Sequence, residues 1–157
     1  MTVEGDEILK EAPSEVPAET LVRFNHDELR SRVFIDKYAM KDNDGILLEK
    51  VPEEMWRRVA REISSVESEQ LMAEWESKFY WLLENFRMIP GGRILFGAGQ
   101  EKFKRRATLN NCYVIPIRDD SLESIFDWTK EAARTYSLGG GVGTDISILR
   151  PRGAPVN

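Results

Sequence analysis

The chain has 157 residues, of which 41% are hydrophobic and 31% are charged, and its formal net charge is -5. This length is typical of one domain-sized unit. An acidic chain is poorly suited to follow a phosphate backbone, because such binding depends on Lys and Arg and on counterion release. No apolar run approaches the roughly 18 residues that span a bilayer. We therefore expect neither nucleic acid nor membrane as a partner.

Cysteine and histidine content restricts the chemistry further. Cys112 is the only cysteine and His26 the only histidine. A lone cysteine forms no internal disulfide, which favours a reducing compartment. Residues 1–25 have no basic segment followed by an apolar one, as a signal peptide would. We expect a cytoplasmic protein, and no metal site is predicted because a zinc ligand set cannot be completed.

The first two thirds of the chain predict a helical unit. Residues 1–24 are acidic and proline-containing, which predicts a flexible tail. Asp44-Gly45 predicts a turn between two short apolar stretches. Pro52 suits a first helical turn, and the apolar spacing after it predicts one helix there and a second over residues 68–86, stopping near residues 90–92. We expect a helical domain over residues 25–92.

The segment that follows carries no clear period, and the last third predicts a strand, a helix and a strand. A basic cluster at residues 102–106 is interpreted as a solvated loop. Residues 112–117 predict a buried strand. Asp120 lies three residues before Glu123, which predicts a helix capped by Asp120 and continuing along an apolar stripe to the glycines at 139–141. Residues 144–149 predict the second strand, and this order indicates a parallel βαβ unit.

Two features of the last third suggest ligand chemistry. Cys112 is either a small buried hydrophobe or a redox thiol flanked by Asn110 and Asn111. Residues 139–143 contain four glycines, more than a helix end requires, and this excess indicates that backbone N–H groups approach a ligand.

Two charged positions have equally open interpretations. Arg150 and Arg152, fixed by Pro151, are either a solvated pair or a fork for phosphate. Asp120 is predicted to be a helix cap, with one carboxylate oxygen left for a ribose hydroxyl.

Four segments in fixed order resemble the start of the catalytic barrel in the large chain of ribonucleotide reductase. They are NNCYVIPI at 110–117, DSLESIF at 120–126, GGGVGTD at 139–145 and LRPRG at 149–153. The upstream segments YAMKDNDG at 38–45 and IPGGRIL at 89–95 resemble the adenosylcobalamin-dependent, class II branch. The resemblance covers about residues 30 to 157.

The resemblance implies a fold and an activity. The fold class is α/β: a helical N-terminal cap followed by the first strands and helix of a ten-stranded α/β barrel. Residues 93–157 would form this first part of the barrel. The chain is expected to be an N-terminal fragment that lacks the C-terminal barrel. The intact enzyme would reduce ribonucleotides, as di- or triphosphates, to deoxyribonucleotides by thiyl-radical chemistry. Its cofactor would be adenosylcobalamin, and a thioredoxin-type protein would be its reductant. The enzyme is expected to be a homodimer.

The resemblance also implies roles for individual residues. Cys112 corresponds to the first of two cysteines that reduce the ribose and become a disulfide. Asn111, Gly140 and Gly141 correspond to substrate-binding positions. Asp120 and Arg150 correspond to residues that hold a deoxynucleotide or ATP effector, Asp120 on the sugar and Arg150 on phosphate.

This sequence departs from the family pattern in ways that leave alternatives. The radical-bearing cysteine and the partner thiol of Cys112 are not in the chain, so the fragment alone is expected to be inactive. The spacing from Cys112 to Asp120 is one residue longer than in close relatives. The alternatives are a non-catalytic nucleotide-binding or dimerisation segment, and a chain that does not fold stably.

Overall fold

The computed structural model describes residues 15–103 and 107–155. Two short 3-10 turns, Glu84–Phe86 and Gln100–Phe103, accompany the main elements. The predicted basic cluster at residues 102–106 lies outside the described side chains. No helix within the described ranges is long and apolar enough to cross a membrane. The elements are α1 (Ala18–Arg23), α2 (Glu28–Lys37), α3 (Pro52–Ser64), α4 (Glu69–Leu83), α5 (Gly92–Gly97), β1 (Cys112–Val114), α6 (Leu122–Ser137) and β2 (Gly141–Gly143).

Helix α3 is the centre of the helical unit. Pro52 occupies its first turn, where the missing N–H removes no hydrogen bond. The carboxylate of Glu54 reaches back to accept the backbone N–H groups of Lys50 and Val51 at 2.6 and 3.3 Å. The predicted helix is confirmed, and its apolar face is buried against α2, α4 and α5. The buried core contains Phe34, Ile35, Met55, Trp56, Val59, Ala60, Leu83, Leu95 and Ala98.

The structure differs from the predicted flexible tail over residues 18–23, which form α1. Thr20 is fully buried, and its hydroxyl donates to the carbonyl oxygen of Lys50 at 2.6 Å. Arg23 pairs with Glu53 on α3. Both contacts join α1 to residues about 30 positions away, so the acidic composition of the segment does not predict them. Residues 1–14 of the predicted tail lie outside the described residues.

The turn predicted at Asp44-Gly45 is confirmed. Lys41 and Leu47 form an antiparallel bridge across it, and Gly45 has a φ of 81°. The carboxylate of Asp42 accepts the N–H groups of Asp44 and Ile46 at 2.9 and 2.8 Å. This side chain replaces the backbone partners that a tight turn leaves unmade.

The second predicted helix ends earlier than residue 86. Helix α4 stops at Leu83, and Asn85 and Phe86 take positive φ values of 55° and 57°. This kink turns the Phe86 ring edge-on to Trp56, with ring centroids 5.0 Å apart. Leu95 of α5 lies in the same buried core. Residues 92–98 therefore pack with the helical unit, although the predicted barrel segment begins at residue 93.

The predicted parallel βαβ order is confirmed, but its second strand lies elsewhere. β1 pairs parallel with β2, with Cys112 opposite Gly141 and Val114 opposite Gly143. The strand predicted over residues 144–149 is wrong: this segment is a turn, and Ile146 is 66% exposed. Glycine has low strand propensity, so the local pattern favours the isoleucines instead.

The burial predicted for the first strand is also wrong. Strand β1 spans only residues 112–114, and Val114 is 83% exposed while Cys112 is also exposed. Side chains alternate across a strand. Tyr113 therefore faces α6, and its two neighbours lie on the uncovered face of the two-stranded sheet.

Helix α6 begins one residue later than the predicted cap. Ser121 is the N-cap, because its hydroxyl oxygen accepts the N–H of Ser124 at 3.3 Å. The prediction that Asp120 caps the helix is wrong, since its carboxylate is engaged with Arg150. The predicted glycine end is confirmed: Gly139 has a φ of 84° and donates to the carbonyl oxygen of Tyr136.

Candidate functional site

Cys112 lies on the open face of the sheet, beside glycine backbone. The thiol is exposed, and a Cβ placed on Gly141 would lie 3.5 Å from its sulfur. The structure therefore does not support the alternative of a small hydrophobe in the core. A thiol fixed in a strand and open on one side can be presented to a ligand in a constant orientation.

The glycine bend packs tightly against the strand that carries this thiol. Gly140 is buried, and a Cβ there would lie 2.8 Å from both the Tyr113 ring and the Thr135 methyl group. Its N–H donates to the carbonyl oxygen of Thr135 at 3.0 Å, and that of Gly141 donates to the carbonyl oxygen of Asn111 at 2.7 Å. These N–H groups are used within the chain, and the absence of side chains allows the close packing.

Asn111 lies where the helical unit meets the sheet. A Cβ on Gly91 would lie 2.8 Å from its Oδ1 atom. The residue also borders an open cavity of about 340 Å³ between the end of α2, helix α5 and the start of β1. The lining residues are Lys37, Tyr38, Gly92, Arg93, Phe96 and Asn111.

The structure joins the two residues that the sequence predicts to hold an effector. Arg150 Nε lies 2.7 Å from Asp120 Oδ2, and the Arg150 N–H donates to the same oxygen at 3.2 Å. Arg150 Nη2 donates to the backbone oxygen of Asp120, and Nη1 donates to that of Pro155. Side-chain exposure of 39% and 28% leaves the Arg150–Asp120 pair accessible to solvent. Arg152 is exposed.

The turn after β2 has its own local electrostatics. The N–H of Ser147 donates to Asp145 Oδ1 at 2.8 Å, and this bond, with the Ser147 hydroxyl, holds the pKa of Asp145 below its ordinary value. The neighbouring Thr144 hydroxyl is buried and has no partner within the chain described. Across the described ranges, no cluster of three or more His, Cys, Asp or Glu residues is arranged to hold a metal.

One buried ion pair behind the site is not foreseen from the sequence. Arg58 Nε and Nη2 contact the two Glu49 oxygens at 2.6 and 3.0 Å, and both side chains are over nine-tenths buried. Glu49 also accepts the N–H of Met40 at 2.9 Å. Arg58 donates to the carbonyl oxygens of Leu95 and Ala98. The pair thus fixes α5 to α3 and to the segment before α3 that contains Met40 and Glu49. No local sequence pattern distinguishes these two buried charged residues from charged residues that are exposed to solvent.

Arg93 is a second residue whose position in the site has little local signal in the sequence. Its guanidinium lies directly over Gly139, where any side chain would collide with it. The only local signal is its position directly after Pro90-Gly91-Gly92. Arg93 thereby links α5 to the glycine bend between α6 and β2.

Comparison with known families divides the chain into two regions. Residues 24–102 match the all-alpha domain of ribonucleotide reductase, and residues 110–157 match its barrel domain. The predicted fold class, a helical domain followed by the start of a barrel, is confirmed. The helices and the parallel strand pair described above are consistent with it.

Individual relatives agree with the family match. The chain is 34% identical over 119 residues to the ribonucleoside-diphosphate reductase subunit alpha of Chlamydia muridarum, covering 76% of this chain and 10% of that protein. It is 33% identical over 124 residues to a vitamin B12-dependent ribonucleoside-diphosphate reductase of Mycobacterium tuberculosis, covering 77% and 17%. It is 29% identical over 144 residues to the subunit alpha of Helicobacter pylori, covering 92% and 17%. The chain thus spans less than a fifth of each of these relatives.

Proposed function

Because this chain belongs to the ribonucleotide reductase family, we propose that the full-length protein reduces ribonucleotides to deoxyribonucleotides by thiyl-radical chemistry, for DNA synthesis. One observation carries the proposal: the only thiol of the chain is exposed on a strand, directly opposite the glycine backbone of β2. The rigid neighbours of Cys112 can hold a ribose at a fixed distance from the sulfur, and such positioning is a large part of catalysis.

The proposed reduction needs two thiols. The C–O bond at the ribose 2′ position breaks and a C–H bond forms in its place, while the oxygen leaves as water. Two S–H groups supply the two hydrogens and two electrons and become one disulfide. Cys112 supplies one sulfur, and since it is the only cysteine among the 157 residues, its partner and the radical-bearing cysteine belong to another part of the full-length protein. The 157-residue chain alone is therefore inactive under this proposal.

Adenosylcobalamin is the cofactor that we propose for the full-length protein. Support comes from the motifs at residues 38–45 and 89–95 and from the M. tuberculosis relative named as vitamin B12-dependent. When bound, this cofactor supplies the radical. The described residues do not fit as its cradle, because their buried unpartnered polar atoms lie on separate elements, at Glu53, Gln100 and Thr144.

Substrate and effector have separate places in this proposal. Asn111, Gly140 and Gly141 form the backbone wall beside the ribose, and a thioredoxin-type reductant regenerates the thiols. A deoxynucleotide or ATP effector binds at the Asp120–Arg150 pair, with its sugar on Asp120 and its phosphate on the exposed edge of Arg150. The uncovered apolar side chains of α6, which include Leu122 and Phe126, support a homodimer. We place the protein in the cytoplasm because of its lone free cysteine.

Replacement of Cys112 tests the proposal. In the full-length protein, Cys112→Ser should abolish multiple turnover with a dithiol reductant, while Val114→Ser, on the same exposed face of β1, should retain it. Full turnover in Cys112→Ser would overturn the assignment. Omission of adenosylcobalamin should also abolish turnover, and activity without it would remove the cofactor from the proposal while leaving the reduction in place.

A non-catalytic nucleotide-binding segment is the second candidate. The observation that favours it is that the Asp120–Arg150 cluster is complete within this chain, whereas the thiol has no partner thiol in it. The 157-residue chain would then bind a deoxynucleotide, and Arg150→Ala would abolish binding while Cys112→Ser would not. Catalytic turnover by the full-length protein that depends on Cys112 would exclude this candidate as the whole function.

A further inference from the structure

The cavity where the helical unit meets the sheet contains two cations, Lys37 and Arg93, that form no ion pair with another described residue. It is lined by Lys37 and Tyr38 from the end of α2, by Gly92, Arg93 and Phe96 from α5, and by Asn111 from the start of β1. No carboxylate is among these lining residues. Within residues 15–103 and 107–155, neither Lys37 nor Arg93 lies in an ion pair. The cavity is therefore positive in a chain whose net charge is -5.

Arg93 is held in place, although its guanidinium donates no hydrogen bond to another described residue. Its side chain is partly buried, and the guanidinium lies over Gly139, whose φ of 84° and missing side chain make room for it. No hydrogen bond from this guanidinium is found within the described part of the chain. A planar guanidinium with a fixed orientation can bind two oxygens of one phosphate group, which a mobile surface arginine does less well.

The other polar groups of the cavity complete a binding site for oxygen atoms. Asn111 packs against Gly91, and the Tyr38 hydroxyl lies 3.7 Å from the position that a Cβ on Gly92 would occupy. Amide and phenol groups can both donate to phosphate oxygens. Lys37 is exposed at the rim and adds a second positive charge. The volume of about 340 Å³ is within the range of small-ligand sites, roughly 300–1,000 Å³.

We propose that Lys37, Tyr38, Arg93 and Asn111 form a binding site for a phosphate group, in which the helical unit supplies both positive charges. Asn111 is the residue directly before Cys112, so the site adjoins the strand that carries the thiol. If the bound phosphate belongs to a nucleotide, the site extends the proposed function to the binding of that nucleotide, and this assignment rests on the proposed function. If it belongs to free phosphate or pyrophosphate, the site stands independently of the reduction chemistry.

Calorimetric titration of the 157-residue chain with inorganic pyrophosphate, ADP and adenosine tests the site. Pyrophosphate and ADP should bind and adenosine should not. Arg93→Ala should raise the dissociation constant about tenfold or more, the usual effect of losing a charge-assisted hydrogen bond. Lys37→Ala should raise it less, because Lys37 is exposed, and Arg93→Lys should fall between wild type and Arg93→Ala.

Controls separate this site from general charge effects and from the proposed reduction. Lys130→Ala removes an equally positive charge from the exposed face of α6 and should leave binding unchanged. Val114→Ser, on the exposed face of β1, should also bind normally. Because the proposed thiol role is tested by turnover and this site by binding, the two can fail independently. Near-ultraviolet circular dichroism verifies that each variant folds. If Arg93→Ala does not fold, Lys37→Ala still tests the site, because Lys37 is exposed and its replacement should not disturb the fold.

The outcomes assign the phosphate to a source or reject the site. Arg93→Ala should weaken the binding of pyrophosphate and of ADP alike. In the wild type, equal affinity for the two ligands assigns the site to phosphate alone, and tighter binding of ADP assigns it to a nucleotide. Wild-type dissociation constants in both Arg93→Ala and Lys37→Ala would overturn the proposal. It would also be overturned if only Arg150→Ala weakened binding, because the anion would then lie at the Asp120–Arg150 pair.

Discussion

At the residue scale, Cys112 is a position at which the structure separates two interpretations that the sequence leaves open. The sequence leaves open whether the residue is a core hydrophobe or a reactive thiol, since a short apolar strand is typical of both. The structure excludes the core alternative, because side chains alternate along β1, so that Tyr113 faces α6 while the thiol and Val114 face outward. Exposure makes the thiol available to a substrate and also to a chemical reagent.

The exposure of Cys112 predicts its reactivity. In the native 157-residue chain, the thiol should react with a disulfide reagent such as 5,5′-dithiobis(2-nitrobenzoic acid) at a rate within about tenfold of that in the urea-unfolded chain, because accessible thiolate controls this reaction. Stopped-flow absorbance measures both rates. Protection of the native thiol by several orders of magnitude would show that Cys112 is enclosed.

The Glu49–Arg58 pair is the other decisive feature at this scale. Arg58→Ala should lower the free energy of unfolding by roughly 3–5 kcal/mol, because it leaves the buried Glu49 carboxylate without its counter-charge. Urea unfolding followed by tryptophan fluorescence measures this change. Arg61→Ala is the matched control on the same helix: its ion pair with Glu76 is 64% exposed on the arginine side, so its loss should cost under about 1 kcal/mol. Equal effects in the two variants would contradict the assigned role of the buried pair.

At the element scale, β2 illustrates how packing overrides propensity. Three consecutive residues from Gly141 pair with β1, although the isoleucines after them have the stronger strand preference. Close packing at the start of β2 favours glycine: a Cβ on Gly141 would lie 3.3 Å from the carbonyl oxygen of Asn111, and one on Gly140, directly before the strand, would lie 2.8 Å from the Tyr113 ring. The same crowding predicts which glycines tolerate a side chain.

Gly140 and Gly143 should respond differently to alanine. Gly140→Ala should lower the free energy of unfolding by about 1–3 kcal/mol, because its methyl group would lie 2.8 Å from Tyr113 and Thr135. Gly143→Ala, where nothing lies within 4 Å of the added methyl group, should change it by less than about 0.5 kcal/mol. Thermal unfolding of the two variants compares them directly. A tolerated Gly140→Ala would mean that the bend does not pack on β1 as described.

At the scale of the whole molecule, the sequence predicts the features that local chemistry determines. The helix after Pro52, the turn at Asp44-Gly45 and the helix end at Gly139 each depend on the backbone preference of one or two residues, and all three are confirmed. The helical unit and the parallel βαβ order follow from such signals taken in sequence.

Features that depend on distant partners could not be predicted. Helix α1 is anchored by a Thr20 hydroxyl bond to Lys50, 30 residues away. Asp120 has the local sequence of a helix cap, but its carboxylate accepts a hydrogen bond from Arg150, 30 residues away, and Ser121 caps the helix. Arg93 acquires its place only through contact with Gly139. For the candidate site, the order of motifs suggests which residues belong together, whereas hydrogen-bond partners and exposure come from the fold.

We propose that Cys112 is oxidised when the full-length protein reduces a ribonucleotide. A single turnover with pre-reduced protein and no external reductant, followed by blocking of free thiols and peptide mass spectrometry, tests it directly. We expect one disulfide per deoxyribonucleotide formed, linking the Cys112 peptide to a second cysteine. Deoxyribonucleotide formation that leaves the Cys112 thiol free and available to the blocking reagent would contradict it.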